Sequence, residues 1–358
     1  MIKKFKPQSP DPFLNKIKGD TEFARFAHLN NLVDQINNSV PTLNITADGS
    51  IGASSIQFQT YAIIPPTFSG LTALPLQSIP AIALTNPSIF TATNIEFPTL
   101  TYAISIVIQS STALTRVSAP LLISTVSGLD FSNNTNLDTI NFPNLISVGG
   151  NLNLYNNDNL GDAFFPNLVS AIAITISRVS NTPLNVDFSS LESVGTLTLD
   201  TYAGLGPDID NTKFPVLKTA GLNLTDVEIV NIDLQTLETL NSLSLSSLIE
   251  SVNLPNVITM NGYFLSISSN TLTSFTLGTV GTTKKWQNSP FIDLSSCPLD
   301  EASVDNVLLV LASLDGTNGT TSCDGGYLQL AGTCAPPSTA GNTAVVTLLS
   351  RGWTVATN

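Results

Sequence analysis

The sequence is poor in the residues that carry most enzyme chemistry. It holds one histidine, His28, in 358 residues. Ser-His-Asp and Cys-His catalysis would both have to use that imidazole. No nucleophile stands at a base–nucleophile spacing from it, and its place inside an apolar helical stripe gives it a surface or interface role. Charged side chains are scarce too, at 11%, less than half the usual share. A disordered chain needs high charge and low hydrophobicity. This chain is 42% hydrophobic, so it can bury a core. Ser, Thr and Asn supply its polarity, which suits a β-rich, chemically quiet surface.

Cysteine is nearly absent as well. Cys297, Cys323 and Cys334 all lie near the C-terminus. An odd number without CxxC spacing argues against a zinc site. Cys323 and Cys334 flank a short strand-like segment and could pair; small unpaired thiols are the other reading. No segment approaches the ~18 apolar residues of a membrane-spanning helix. The opening Met1 to Pro10 is basic but has no apolar stretch behind it, so no secretory signal is expected. Phosphate-cradling glycine motifs and His-based metal motifs are missing. No cofactor and no metal are therefore expected.

What charge there is, is unevenly placed. Residues 1–30 carry Lys3, Lys4, Lys6, Lys16, Lys18 and Arg25 against Asp11, Asp20 and Glu22. The remainder holds seven basic side chains against 23 acidic ones, within a net charge of −13. A basic arm on an acidic body reads as a tether to an acidic partner surface, or more simply as a soluble terminus. Repulsion from phosphates argues against nucleic-acid binding by the body.

The middle of the chain repeats. Phe-Pro-x-Leu occurs at Phe97–Leu100, Phe142–Leu145, Phe165–Leu168 and Phe214–Leu217, with degenerate copies at Ala119–Leu122, Phe188–Leu191, Leu234–Leu237 and Leu254–Val257. A last copy ends at Val280. The period is about 23 residues, in the range of solenoid repeats. After each anchor comes an alternating pair such as Ile106/Ile108, Leu152/Leu154 or Leu197/Leu199, the mark of a strand with one buried face. Asn-rich turns follow, such as Asn133–Asn136 and Asn156–Asn159. Asn tolerates the left-handed backbone a coil corner needs. Stacked coils would share one core and line up short strands as parallel sheets, in a stack on the order of 40 Å long. The repeated Leu, Ile and Phe residues are then core.

Ser147 to Leu160, SVGGNLNLYNNDNL, resembles the coil of receptor L-type domains and related bacterial leucine-rich-repeat surface proteins. The shared pattern is a Leu anchor, a Gly-Gly turn, an LxL strand and an Asn-rich turn. It covers residues 97–294 and implies a leucine-rich-repeat, receptor-L-like solenoid with adhesion or ligand binding on its flanks. The resemblance is good in the 142–168 coil and looser elsewhere, where the Gly-Gly is lost.

The two ends differ from the middle. Residues 295–358 predict a small αβαβ cap, with a helix over Ala302–Leu311 capped by Asp300, a strand at Tyr327–Leu330, a helix over Ala344–Ser350 and a strand at Arg351–Val355. A cap is required because the last coil otherwise exposes apolar surface and a sheet edge. It resembles caps on repeat proteins of bacteriophage tail fibres and bacterial surface proteins, except at Thr333–Pro337, where those carry a Gly/Ala-rich turn. Residues 39–96 read as a β-rich neck or N-cap. Residues 1–38 read as an extended arm, then a helix with an apolar stripe at Phe23, Phe26, Leu29, Val33 and Ile36. The stripe would dock on a partner, bundle with copies of itself, or pack on its own chain; the intermolecular reading is preferred. Phe23 to Val33, FARFAHLNNLV, resembles the opening of virion proteins from tailed phages of gut Bacteroidota, including the crAss-like group.

That resemblance implies a structural virion protein, a head or tail fibre or decoration, made in the host cytoplasm and carried on the particle surface. Lys3, Lys4, Lys6, Phe23, Arg25, Phe26, Leu29, Val33 and Ile36 would anchor it to capsid or tail proteins. The solenoid would bind a host surface glycan or protein, and the chain would form a homo-oligomer, a trimer by preference. Two alternatives stand beside it. One is a bacterial leucine-rich-repeat surface adhesin, which needs an export or sorting signal. The other is a glycan depolymerase working through paired carboxylates, for which Asp208/Asp210, Asp226/Glu228 and Asp187/Glu192 are the candidates. Asp208–Asn211 falls in the longest interval between anchors and is expected to protrude as a loop. It lacks the glycine and distal Glu of a calcium loop.

Overall fold

The computed structural model describes residues 56–58, 78–84, 93–98, 100–178, 183–201, 205–206, 208–225, 229–245, 248–261, 264–267, 269–281, 285–286, 291–314 and 325–358. They form a β-solenoid in which every strand pairing is parallel. One 16-stranded sheet runs the length of the stack, from Ile56–Phe58 to Thr354–Ala356. On the other side a five-stranded sheet, from Asn94–Glu96 to Asn185–Asp187, is followed by a four-stranded one, from Asp208–Asp210 to Ser274–Leu277.

Each coil follows from the repeat. A long strand such as Ser147–Asn153 gives way to an Asn turn, then a three-residue strand such as Asp162–Phe164, then the Phe-Pro-x-Leu corner. Asn133 and Asn156 adopt φ of 61° and 55°, the left-handed conformation that Asn tolerates best after Gly. Asn134 sits in the same turn and is buried. Its side chain accepts the Ser111 amide at 2.9 Å and donates to the carbonyls of Ile108 and Phe131 at 2.8 and 2.7 Å. Asn157 accepts the Asn134 amide at 2.9 Å in turn. The turn thus satisfies backbone groups of two coils with one side chain, which buried polar backbone demands.

The anchors are core. Leu100, Leu122, Leu145, Leu168, Leu191, Leu217, Leu237 and Val257 are all fully buried. The rings of Phe142, Phe165, Phe188 and Phe214 stack along the axis, with centroids 5.8, 5.9 and 6.1 Å apart. Val280 follows Leu277 as the anchor Val257 follows Leu254, but it is 48% exposed and so is not a core anchor. The chain leaves the strand at Gly278 with φ 78°, so Thr279-Val280 lies beyond the corner. The expected Gly-Gly turn is also different. Gly149 and Gly150 lie inside the strand Ser147–Asn153, at a bulge where the register to Ser170–Arg178 shifts. A Cβ on Gly149 would stand 2.2 Å from the Val126 carbonyl oxygen, so only glycine permits this approach.

Parallel pairing continues past both expected boundaries. Strands Ser78–Leu84 and Asn94–Glu96 join the sheets that follow, so no sheet boundary falls at residue 97. At the other end Phe291–Asp293, Tyr327–Gln329 and Thr354–Ala356 extend the long sheet. The helices α1, Glu301–Ser313, and α2, Thr339–Ser350, are the connections between these strands. They take the place of the short strands. Asp300 caps α1 by accepting the Ser303 amide at 2.7 Å, and Ser338 caps α2. Asp305 of α1 accepts both the amide and the hydroxyl of Ser338. A Cβ on Gly341 would lie 2.1 Å from that carboxylate, so a glycine lets the two helices close on each other.

Candidate binding faces

The surfaces available for recognition are the outward faces of the sheets. In the long sheet, Asp130, Asn153, Thr175, Thr198 and Asn223 lie side by side on successive strands, each between two inward-facing apolar residues. A shallow groove crosses this column. Val107, Gly128, Asp130, Gly150, Asn153 and Tyr155 are among the residues that line it. Glycine is required at 150 by the close approach of the neighbouring strand: a Cβ there would come within 2.8 Å of the Gly128 nitrogen. Asp130 is held in place, accepting the Ser132 amide at 2.9 Å and the Gln109 side-chain amide at 2.7 Å.

The outward face of the four-stranded sheet is a set of polar rows. Asn231 donates to Asp208 at 2.9 Å, Ser251 to Asn231 at 2.7 Å, and Asn253 to Asp233 at 2.9 Å. Matched amide, hydroxyl and carboxylate groups at strand spacing offer repeated donor and acceptor pairs to a hydroxyl-rich ligand. Near the C-terminal end the exposed Phe291 stacks on Tyr327, centroids 4.7 Å apart and planes within 8°. Neither the groove nor the aromatic pair stands out in the sequence. Their residues alternate in and out like every other strand, and only the register brings Phe291 beside Tyr327.

The expected protruding loop at Asp208–Asn211 is corrected. Asp208–Asp210 is a strand in register with Asn231–Asp233, and Ile209 is buried. Asn211 is a turn residue that accepts the Gln235 amide at 2.7 Å and donates to Thr236 at 2.7 Å. Ser193 to Asp208 spans the same number of residues as Ser170 to Asn185, so the extra residues of that coil are Asn211, Thr212 and Lys213, between the strand and Phe214. Asp210 accepts the amide and hydroxyl of Thr212, and these bonds, with Lys213 nearby, hold its carboxyl below the ordinary value. Asp187 accepts the Ser189 amide at 3.0 Å, and Glu192 pairs with Lys218 at 3.3 Å. These carboxylates close turns or pair with a neighbouring coil, and Asp208, Asp210 and Asp233 line one groove on the outward face of the four-stranded sheet.

The thiols of Cys297 and Cys334 are buried and free. Burial raises both, and the neighbouring Cys297 adds to the rise at Cys334, which reaches about 11. Among the described residues no group of three or more His, Cys, Asp or Glu could hold a metal ion, and no helix is long and apolar enough to cross a membrane. The anchor residues Lys3, Lys4, Lys6, Phe23, Arg25, Phe26, Leu29, Val33 and Ile36 lie outside the described residues, as do His28, Asp226, Glu228 and Cys323. Compared with the known protein families and with the curated proteins, the chain matches none.

Proposed function

We propose that the chain is a structural component of a tailed-phage particle, a head or tail fibre or decoration. Residues 1–38 attach it to capsid or tail proteins as a homo-oligomer, and the solenoid, of leucine-rich-repeat and receptor-L-like type, projects for host-surface adhesion. The observation that carries the adhesive part is the pair of polar outward sheet faces. Their side chains are ordered by bonds between coils, as at Asn231–Asp208 and Asn253–Asp233. Preordered groups lose little entropy on binding, and a low-charge, hydroxyl- and amide-rich surface suits a glycan.

The anchoring part rests on the basic arm, the apolar stripe from Phe23 to Ile36 and their resemblance to phage virion openings. Deleting residues 1–38 is expected to abolish incorporation into particles while the solenoid still folds. Particles that carry the truncated chain would overturn the anchoring claim. Incubation of the intact chain with host capsule polysaccharide tests the depolymerase alternative: binding without chain shortening is expected, and shortened polysaccharide that depends on Asp208 or Asp210 would replace adhesion with hydrolysis.

A further inference from the structure

One corner of the solenoid is apolar without being buried. The residue after each anchor stacks on the same position of the next coil. The amide of Ile146 bonds the carbonyl of Ile123, and that of Val169 bonds the carbonyl of Ile146, both at 2.8 Å. Ile123 and Ile146 are each 48% exposed. Three residues further along, Ile104 lies beside Val126, and Ile172 beyond Gly149, in the long sheet. Ile172 is 60% exposed, more than any of the others, and Leu121 adds to the corner from the turn.

Ile104, Leu121, Ile123, Val126, Ile146 and Ile172 together expose on the order of 500 Å², the upper end of the largest patch on a typical monomer. In the next coils the same row turns charged, with Glu192, Lys218 and Glu238 following Val169. Glu192 and Lys218 pair at 3.3 Å. Toward the C-terminus the apolar corner is thus bounded by charge.

We infer that a second copy of this chain covers this corner. Charge is the first argument. The chain carries a net −13, so two copies repel wherever their acidic surfaces approach. The stretches 97–115, 117–129, 139–157 and 163–177, which form this corner and its strands, contain no charged residue at all. Area is the second. A standard interface buries about 800 Å² per partner, and the patch supplies the apolar centre of such a contact. Its rim is neutral and hydrogen-bonding, with Ser124, Ser147 and Ser170 between the isoleucines. The inference deepens the homo-oligomer in the proposed function by locating the contact on the coils rather than only in the N-terminal arm.

Sedimentation of the full chain over a concentration range tests it. The wild-type chain is expected to self-associate, and the Ile146→Asp, Ile172→Asp double variant to lose that association at least tenfold in apparent affinity. The milder Ile146→Ser, Ile172→Ser pair should weaken it less. Both sites are exposed, so the unfolding transition should be unchanged. Val346→Asp, which puts charge on an apolar residue of α2 that is 66% exposed, should leave association intact. A monomeric wild-type chain, or aspartate variants that associate as wild type does, overturns the inference. So does a full chain that self-associates only after Phe26→Asp and Leu29→Asp, because the N-terminal stripe would then be the occupant. None of these results touches particle incorporation, which stands on the deletion of residues 1–38.

Discussion

The hydroxyl of Ser303, on α1, accepts the backbone amide of Phe275 at 2.9 Å, and both groups are buried. One helical turn on, Asn306 accepts the amide of Leu277 at 3.0 Å. The strand Ser274–Leu277 is the last of the four-stranded sheet, so these amides have no further strand to bond. The helix replaces that strand with two side chains, which protects an edge that would otherwise invite pairing with another chain. Ser303→Ala leaves the Phe275 amide buried and unpaired, at a cost of about 1–3 kcal/mol. Hydrogen exchange at Phe275 and Leu277 should speed up by one to two orders of magnitude, with little change at Leu152 or Leu197. Unchanged exchange at Phe275 would mean the helix does not cap the edge.

The phenylalanine stack makes a second prediction. Phe165 lies between Phe142 and Phe188 at 5.8 and 5.9 Å. Phe165→Ala opens a cavity in the middle of the stack and should cost about 3–5 kcal/mol in denaturant unfolding. Phe165→Leu should cost much less, because Leu234 and Leu254 fill the equivalent position, fully buried, in later coils.

Much of this fold is written in the sequence, because a solenoid repeats one burial pattern. The Phe-Pro-x-Leu anchors and LxL pairs needed no long-range information to be assigned to the core. Sequence pattern and structure part where a local pattern changes its partner. Thr279-Val280 imitates an anchor, yet it follows Gly278, whose positive φ takes the chain out of the corner. Asp208–Asn211 reads as a loop from interval length alone, whereas Ile209 keeps it in the sheet. Ile123 and Ile146 directly follow buried leucines, so in one dimension they look like more core. Only the stacking of coils shows that their side of the corner faces outward. Ser303 and Asn306 look like ordinary polar residues of an amphipathic helix, and their task depends on a strand about 30 residues earlier.

The Asn134 turn gives a third prediction. Its side chain serves the Ser111 amide and the carbonyls of Ile108 and Phe131, all within the buried turn. Asn134→Ala orphans these groups and should destabilise by at least about 2 kcal/mol. Asn134→Ser should recover part of the loss. Serine already serves turns of this kind: the Ser111 hydroxyl accepts the Leu114 amide, and the Ser269 hydroxyl the Leu272 amide, each at 3.1 Å. Equal losses for the two variants would show that the side-chain oxygen is not what the turn needs.

The two buried thiols make the stability depend on alkaline pH. Cys297 donates to the Ile267 carbonyl at 3.3 Å. The single Cys334 S–H lies between the carbonyls of Leu294 and Cys297, at 3.3 and 3.2 Å, and donates to this pair. Both are held as neutral donors, with the Cys334 thiol raised by burial from 9.0 to about 11. The folded chain therefore holds this proton more tightly than the unfolded chain does. The stability this contributes is fully present below pH 9, and it falls as pH rises toward 11, because only the unfolded chain gives up the proton there. Tyr and Lys titrate in the same range, so the readout is a difference between proteins. The unfolding midpoint of the wild-type chain should drop more steeply between pH 9 and 11 than that of Cys334→Ala, while the two run parallel below pH 8. Parallel curves across the whole range would show that the thiol is as free to ionise in the folded chain as outside it.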